Sequence, residues 1–228
     1  MYINLNMEAY NMSVTSVMFK KINAALSKNN YEYALNLITK YLRFVNNNSS
    51  EYYISITVLS KQALCYNELK QYQKSINCYR KYIEILKGWS ENKPYIKEKY
   101  SSLPKSSEDF CEKLASAYEN IALCFFKQES YIDAVTNYKT TLAYSTKINN
   151  YEDMARANIN IGMCYYHLED YISAIEYFSY SIKLNPSDDQ AKFFCAESYR
   201  FLKLYRSAIN YYQQVADNGS QYSSKSYY

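Results

Sequence analysis

The stretch NINIGMCYYHLEDYISAIEYF, Asn158 to Phe178, decides the fold. Tyr171 is followed three residues later by Ala174, and four later again by Phe178. The same spacing gives Tyr31, Ala34 and Ile38; Tyr72, Ser75 and Tyr79; Tyr131, Ala134 and Tyr138; and Tyr205, Ala208 and Tyr212. These five anchor tyrosines stand 41, 59, 40 and 34 residues apart. One anchor at a recurring interval of this size marks a stacked array of similar units.

A second pattern precedes each anchor. Gly162 lies nine residues before Tyr171, and Ala63, Ala122 and Ala196 hold the same place in three other copies. Three residues after that small residue come Tyr66, Phe125, Tyr165 and Tyr199. Positions three and four apart share one face of a helix. Each unit therefore reads as an aromatic helix, a short polar turn such as HLED or KQES, and a second helix carrying Tyr, a small residue and an aromatic. The small residues let the two helices approach closely while the rings fill the space beside them. An isolated pair cannot bury both faces, so it stacks on its neighbours. Gly88 is read as a helix C-cap, Ser106 with Asp109 as a helix start, and Ser187 with Gln190 as a capping box after Pro186.

This pattern resembles the tetratricopeptide repeat. The best copy is Ala155 to Asp188, with Ile161, Gly162, Tyr165, Ala174, Phe178 and Pro186 at the signature places and Asn158 where the family has tryptophan. The resemblance implies an all-α, right-handed superhelical solenoid of helix–turn–helix units. They are placed at 15–48, 56–89, 115–148, 155–188 and 189–222, as one solenoid between an N-terminal segment (1–14) and a polar tail (223–228). The 40- and 41-residue intervals imply lengthened helices, as in the longer-repeat branch of the family. The 59-residue interval implies an inserted loop at about 88–106.

Composition agrees. With 3 glycines and 3 prolines in 228 residues, helix breakers are scarce. The net charge of +4 is spread along the chain, without a block of like charges, so no nucleic-acid footprint is expected. No apolar run suits membrane insertion. The opening MYINLNMEAY does not read as a secretory signal. Six cysteines without a C-x-x-C pair, and a single histidine, His167, predict neither a zinc site nor a disulfide framework. A cytoplasmic location, with cytoskeletal or ciliary variants, is the expectation. Cys65, Cys124 and Cys164 share one repeat position and are expected to pack in the core. No nucleophile–base set and no phosphate loop is found, so an enzyme is not expected and no cofactor is assigned.

What remains is recognition. In the family the first helices line the concave side of the superhelix. Carrying the family's exposed positions onto this sequence gives a candidate peptide- or partner-binding set: Asn120, Leu123 and Phe126; Arg156, Ile159, Asn160, Met163 and Tyr166; then Phe193 and Arg200. Asn120 and Asn160 occupy matching places, and an amide pair can clamp the backbone of an extended peptide. At the places of the carboxylate clamp that holds chaperone C-terminal tails, only Asn160 matches, so such a partner is not expected. The function expected is that of a non-catalytic adaptor or scaffold. The alternative is a structural subunit of a ciliary, axonemal or transport assembly, packing through the ends of its solenoid.

Overall fold

The computed structural model describes residues 16–46, 54–90, 104 and 106–218. Ten α-helices run through them: α1 (16–27), α2 (Tyr31–Asn46), α3 (Ile54–Glu68), α4 (Tyr72–Ser90), α5 (Ser107–Lys127), α6 (Tyr131–Lys147), α7 (Tyr151–His167), α8 (Tyr171–Leu184), α9 (Asp189–Phe201) and α10 (Tyr205–Asp217). No strand occurs among the described residues. The helices pair in order as five antiparallel hairpins, the all-α solenoid architecture that the repeat pattern implies. The chain divides into two compact units, residues 1–105 and 106–228, with the boundary in the inserted segment. The N-terminal segment (1–14), most of the inserted loop, the side chain of Trp89 and the tail at 223–228 lie outside the described residues.

All five hairpins turn in the same way. The residue two before each anchor tyrosine (Asn29, Lys70, Glu129, Glu169 and Lys203) has φ between 54° and 61°. The next N–H reaches back to the carbonyl five residues earlier: Gln71 to Tyr66, Ser130 to Phe125, Asp170 to Tyr165. This left-handed closure satisfies carbonyls that the helix end would leave unpaired. It needs one residue at positive φ, usually glycine, and here Asn, Lys and Glu take that place at a cost. Helix starts are capped individually. Ser106 Oγ accepts from Asp109 N, as expected, and Asp170 accepts from Ser173 N.

Two expected caps fall elsewhere. Asp188, not Ser187, caps α9 by accepting from Ala191 N, while the Ser187 hydroxyl donates to Asn185 Oδ1. An acceptor carboxylate also suits the positive end of a helix better than a hydroxyl. Gly88 does not end a helix; α4 continues through it to Ser90.

In the first unit, Ile22 and Ala25 of α1 share a core with Ala34, Ile38 and Tyr41 of α2 and with Val58 and Cys65 of α3. Ser75 of α4 donates to the carbonyl of Ala63 in α3 at 2.8 Å, so this pair of small residues brings two backbones together. In the second unit each helix packs on the next, and α7 also touches α9. First helices thus lie beside first helices, with α6, α8 and α10 behind them. Ala122, Ala134, Gly162 and Ala174 are buried at the hairpin contacts, as their spacing predicts. The 40-residue interval does come from longer helices: α6 and α7 have 17 residues each, whereas α8 has 14 and α9 has 13. Asn158, standing where the family has tryptophan, is buried and donates to the carbonyl of Met154.

The anchor tyrosines join units together. Tyr131, the first residue of α6, stacks on His167, the last residue of α7, with ring centroids 5.0 Å apart and planes 6° from parallel. Tyr171 at the start of α8 repeats this on Phe201 at the end of α9, at 4.7 Å and 3°. Tyr131 and Tyr171 are therefore part of the junctions between successive units.

Candidate peptide-binding surface

The candidate residues lie on α5, α7 and α9, the layer of first helices in the second unit. Eight of the ten are half-buried or exposed. Ile159 and Phe193 are not: their side chains are 6% and 9% accessible. Both hold the fifth place of their units, and that place turns away from the open face. Ile159 joins Ala174, Phe178, Ala191 and Cys195 in the core between α7, α8 and α9. Phe193 meets Phe194 and Tyr212 edge-on. These two belong to the packing and are corrected out of the open set.

The remaining apolar members form a continuous wall. Phe126 meets His167 edge-on at 5.4 Å, His167 meets Tyr166 at 5.9 Å, and Tyr166 meets Phe194 at 5.6 Å. Edge-to-face contacts of this kind fix ring orientation as well as burying area. Burial first, and the nearby Glu197 carboxylate second, raise the Tyr166 hydroxyl above the ordinary tyrosine range, so it stays a neutral donor. Leu123 and Met163 are half-buried beside this wall.

The two asparagines differ. Asn120 Nδ2 donates to the carbonyl of Ser116 in its own helix at 2.8 Å. The Asn160 amide has no hydrogen-bond partner among the described residues and is half-buried. Of the pair, Asn160 has its whole amide free for a ligand, whereas one of the two Asn120 N–H groups is held by Ser116.

Both arginines are committed. Arg156 Nε lies 2.7 Å from Glu119 Oε1 and its Nη2 lies 2.6 Å from Asp153, so one guanidinium ties α5 to α7 between two carboxylates. Hydrogen bonding to Glu119 raises its pKa, and burial opposes that only in part. Arg200 pairs with Glu197 at 2.6 Å and lies over the Phe201 ring at 4.5 Å, while Tyr212 donates to the same Glu197. A bidentate, two-carboxylate pairing holds a guanidinium in place. The ion pairs and the His167–Phe201 side of the wall are what reasoning from single positions misses. The signal was present in the anchor tyrosines, but it needed the packing of one unit on the next.

Among the described residues no three His, Cys, Asp or Glu side chains gather as metal ligands, and no helix is long and apolar enough to cross a membrane. The tetratricopeptide-repeat pattern matches residues 113–187, and a second match covers 56–85. This is a tetratricopeptide-repeat protein. Solved structures share the fold at low identity. MamA of Desulfovibrio magneticus RS-1 is 14% identical, with a TM-score of 0.65 over 90% of this chain and 94% of that one. RapI in its apo form is 16% identical, with a TM-score of 0.78 over 99% of this chain and 61% of that one. A putative kinesin light chain repeat protein of Podosopora anserina is 13% identical, with a TM-score of 0.67 over 93% and 97%. No curated protein matches the sequence. Tetratricopeptide repeats are typically protein-interaction modules without catalysis of their own.

Proposed function

We propose that the protein is an adaptor whose α5–α7–α9 face binds an extended segment of a partner protein. One observation carries this reading. The unpartnered Asn160 amide stands in the same helix layer as the Phe126–His167–Tyr166–Phe194 wall. An amide supplies the donor and acceptor that match one peptide group, and the aromatic wall takes apolar side chains on either side of it. Asn120 adds its side-chain oxygen and its second N–H, the first being held by the Ser116 carbonyl. An acidic chaperone tail fits poorly, since a carboxylate needs cations and Arg156 and Arg200 are already held by Glu119, Asp153 and Glu197.

The test is to recover partners by affinity capture, map the bound segment to a synthetic peptide, and titrate that peptide against the parent and against Asn160→Ala. Weaker binding by the folded variant supports the reading. Binding equal to the parent, repeated for Met163→Glu, moves the site off this face.

A further inference from the structure

The repeat junctions inside the chain specify what covers a free one. At each described junction a second helix receives the back face of the next first helix. On α7 that face is Ala157, Ile161 and Cys164, and on α9 it is Ala191, Cys195 and Ser198; all six are 0% accessible. In the second unit the receiving side is the anchor tyrosine, stacked on the last residue of the incoming helix, together with the residue four places on: Tyr131 with Val135, and Tyr171 with Ile175. At the α2–α3 junction the last residue of the incoming helix is Glu68, without a ring.

Among the described residues both halves of such a junction stand open. On α10 the receiving pair is Tyr205 and Ile209, which are 58% and 55% accessible, and Tyr205 stacks on no ring among the described residues. On α1 the incoming face is Val17, Lys21, Ala24 and Ser27, and all four are exposed. Their places match those of Ala157, Ile161, Cys164 and His167 on α7. Ser27 stands where α7 has the His167 ring and offers Tyr205 nothing to stack on; Val17 and Ala24 keep the small size that a close helix approach needs. Lys21 departs from it: its stem can lie along an apolar neighbour while the amine stays in water.

We infer that α10 of one copy receives α1 of a second copy, continuing the repeat junction between molecules head to tail. The interface is heterologous, so it extends to rings or filaments instead of stopping at a dimer. Lys21 makes this junction weaker than the internal ones, so assembly depends on concentration. The surface is separate from the Asn160 face.

Sedimentation velocity on the full chain, from about 1 μM to about 100 μM, spans the range in which a weak junction passes from mostly free to mostly paired. The parent should move from monomer to dimer and larger species over this range. Ala24→Glu on α1 and Ile209→Glu on α10 each alter an exposed side chain, and circular dichroism checks that both stay folded. Each alone should remain monomeric. Mixed together they should form a one-to-one dimer and nothing larger, because one intact α1 face and one intact α10 face remain between them. A parent that stays monomeric throughout overturns the inference. So does a mixture that does not pair, or an Ala24→Glu chain that associates like the parent; the last result would mean that two α10 faces meet each other. Asn160→Ala should assemble as the parent does, which keeps this outcome apart from that of the peptide-binding face.

Discussion

Gly162 of α7 lies flat against the ring of Phe178 in α8: a Cβ added at Gly162 would stand 2.7 Å from Cε1 of that ring and 2.8 Å from Cδ1. Phe178 is 0% accessible, so the ring has little room to withdraw. Two opposing effects therefore meet in Gly162→Ala. Alanine gains about 1 kcal/mol in helix propensity. Overpacking a closed core costs about 1–3 kcal/mol. We expect overpacking to win, with a lower denaturation midpoint. Phe178→Leu makes room, so the double variant should cost less than the two single changes added together. A Gly162→Ala chain more stable than the parent would show that the ring yields.

The hairpin turns predict the opposite sign for a different glycine. Glu169 and Lys203 sit at φ 60°, a conformation that costs a residue with a Cβ about 1–2 kcal/mol. Glu169→Gly and Lys203→Gly should each raise stability, by about 0.5–1 kcal/mol once the greater freedom of glycine in the unfolded chain is deducted. Thermal melts of the two variants and of their combination check this, and the gains should add because the turns are separate.

The cysteines give a prediction in pH. All six are buried and none is in a disulfide. Burial pushes the Cys164 thiol up to about 12 and the Cys65 thiol up to about 11, a nearby Lys61 only partly opposing the latter. An unfolded chain ionises its thiols from about pH 8.5. The folded chain then holds protons that the unfolded one releases. The thiol contribution is constant below that pH and is lost as the pH rises through the interval up to the folded values. Melting temperature should fall above about pH 9, and less steeply in Cys164→Ala, which removes one of the shifted groups. Thiol reagents at neutral pH should label the native chain on the order of 100-fold more slowly than the denatured chain, since labelling has to wait for opening.

On the recognition face, the hydrogen bonds rank the two asparagines. Asn160→Ala should weaken a bound peptide by about 0.5–1.5 kcal/mol, the ordinary worth of a hydrogen-bonded amide. Asn120→Ala should cost less, because part of that amide is already spent on Ser116. Met163→Glu should cost the most, as it sets a charge against apolar ligand surface. Calorimetric titration of one peptide against all three gives the order directly. Asn120→Ala as the most damaging change would reverse the assignment.

Spacing alone was enough to specify the hairpins, their small-residue contacts and the burial of Cys65, Cys124 and Cys164. These follow from helical periodicity within about twenty residues of chain, where one face is set by neighbours three and four places away. Tertiary structure decided what depends on the next unit along. Ile159 and Phe193 were carried onto the open face from the family's exposed positions, yet packing closes over them. Arg156 read as a member of the open binding set, and Glu119, 37 residues away on another helix, ties it into the packing of α5 on α7. Tyr131 on His167 and Tyr171 on Phe201 belong to the same class. Periodicity is a property of one helix, whereas pairing across a junction depends on how two helices approach, and that approach is set by the summed packing of every side chain between them.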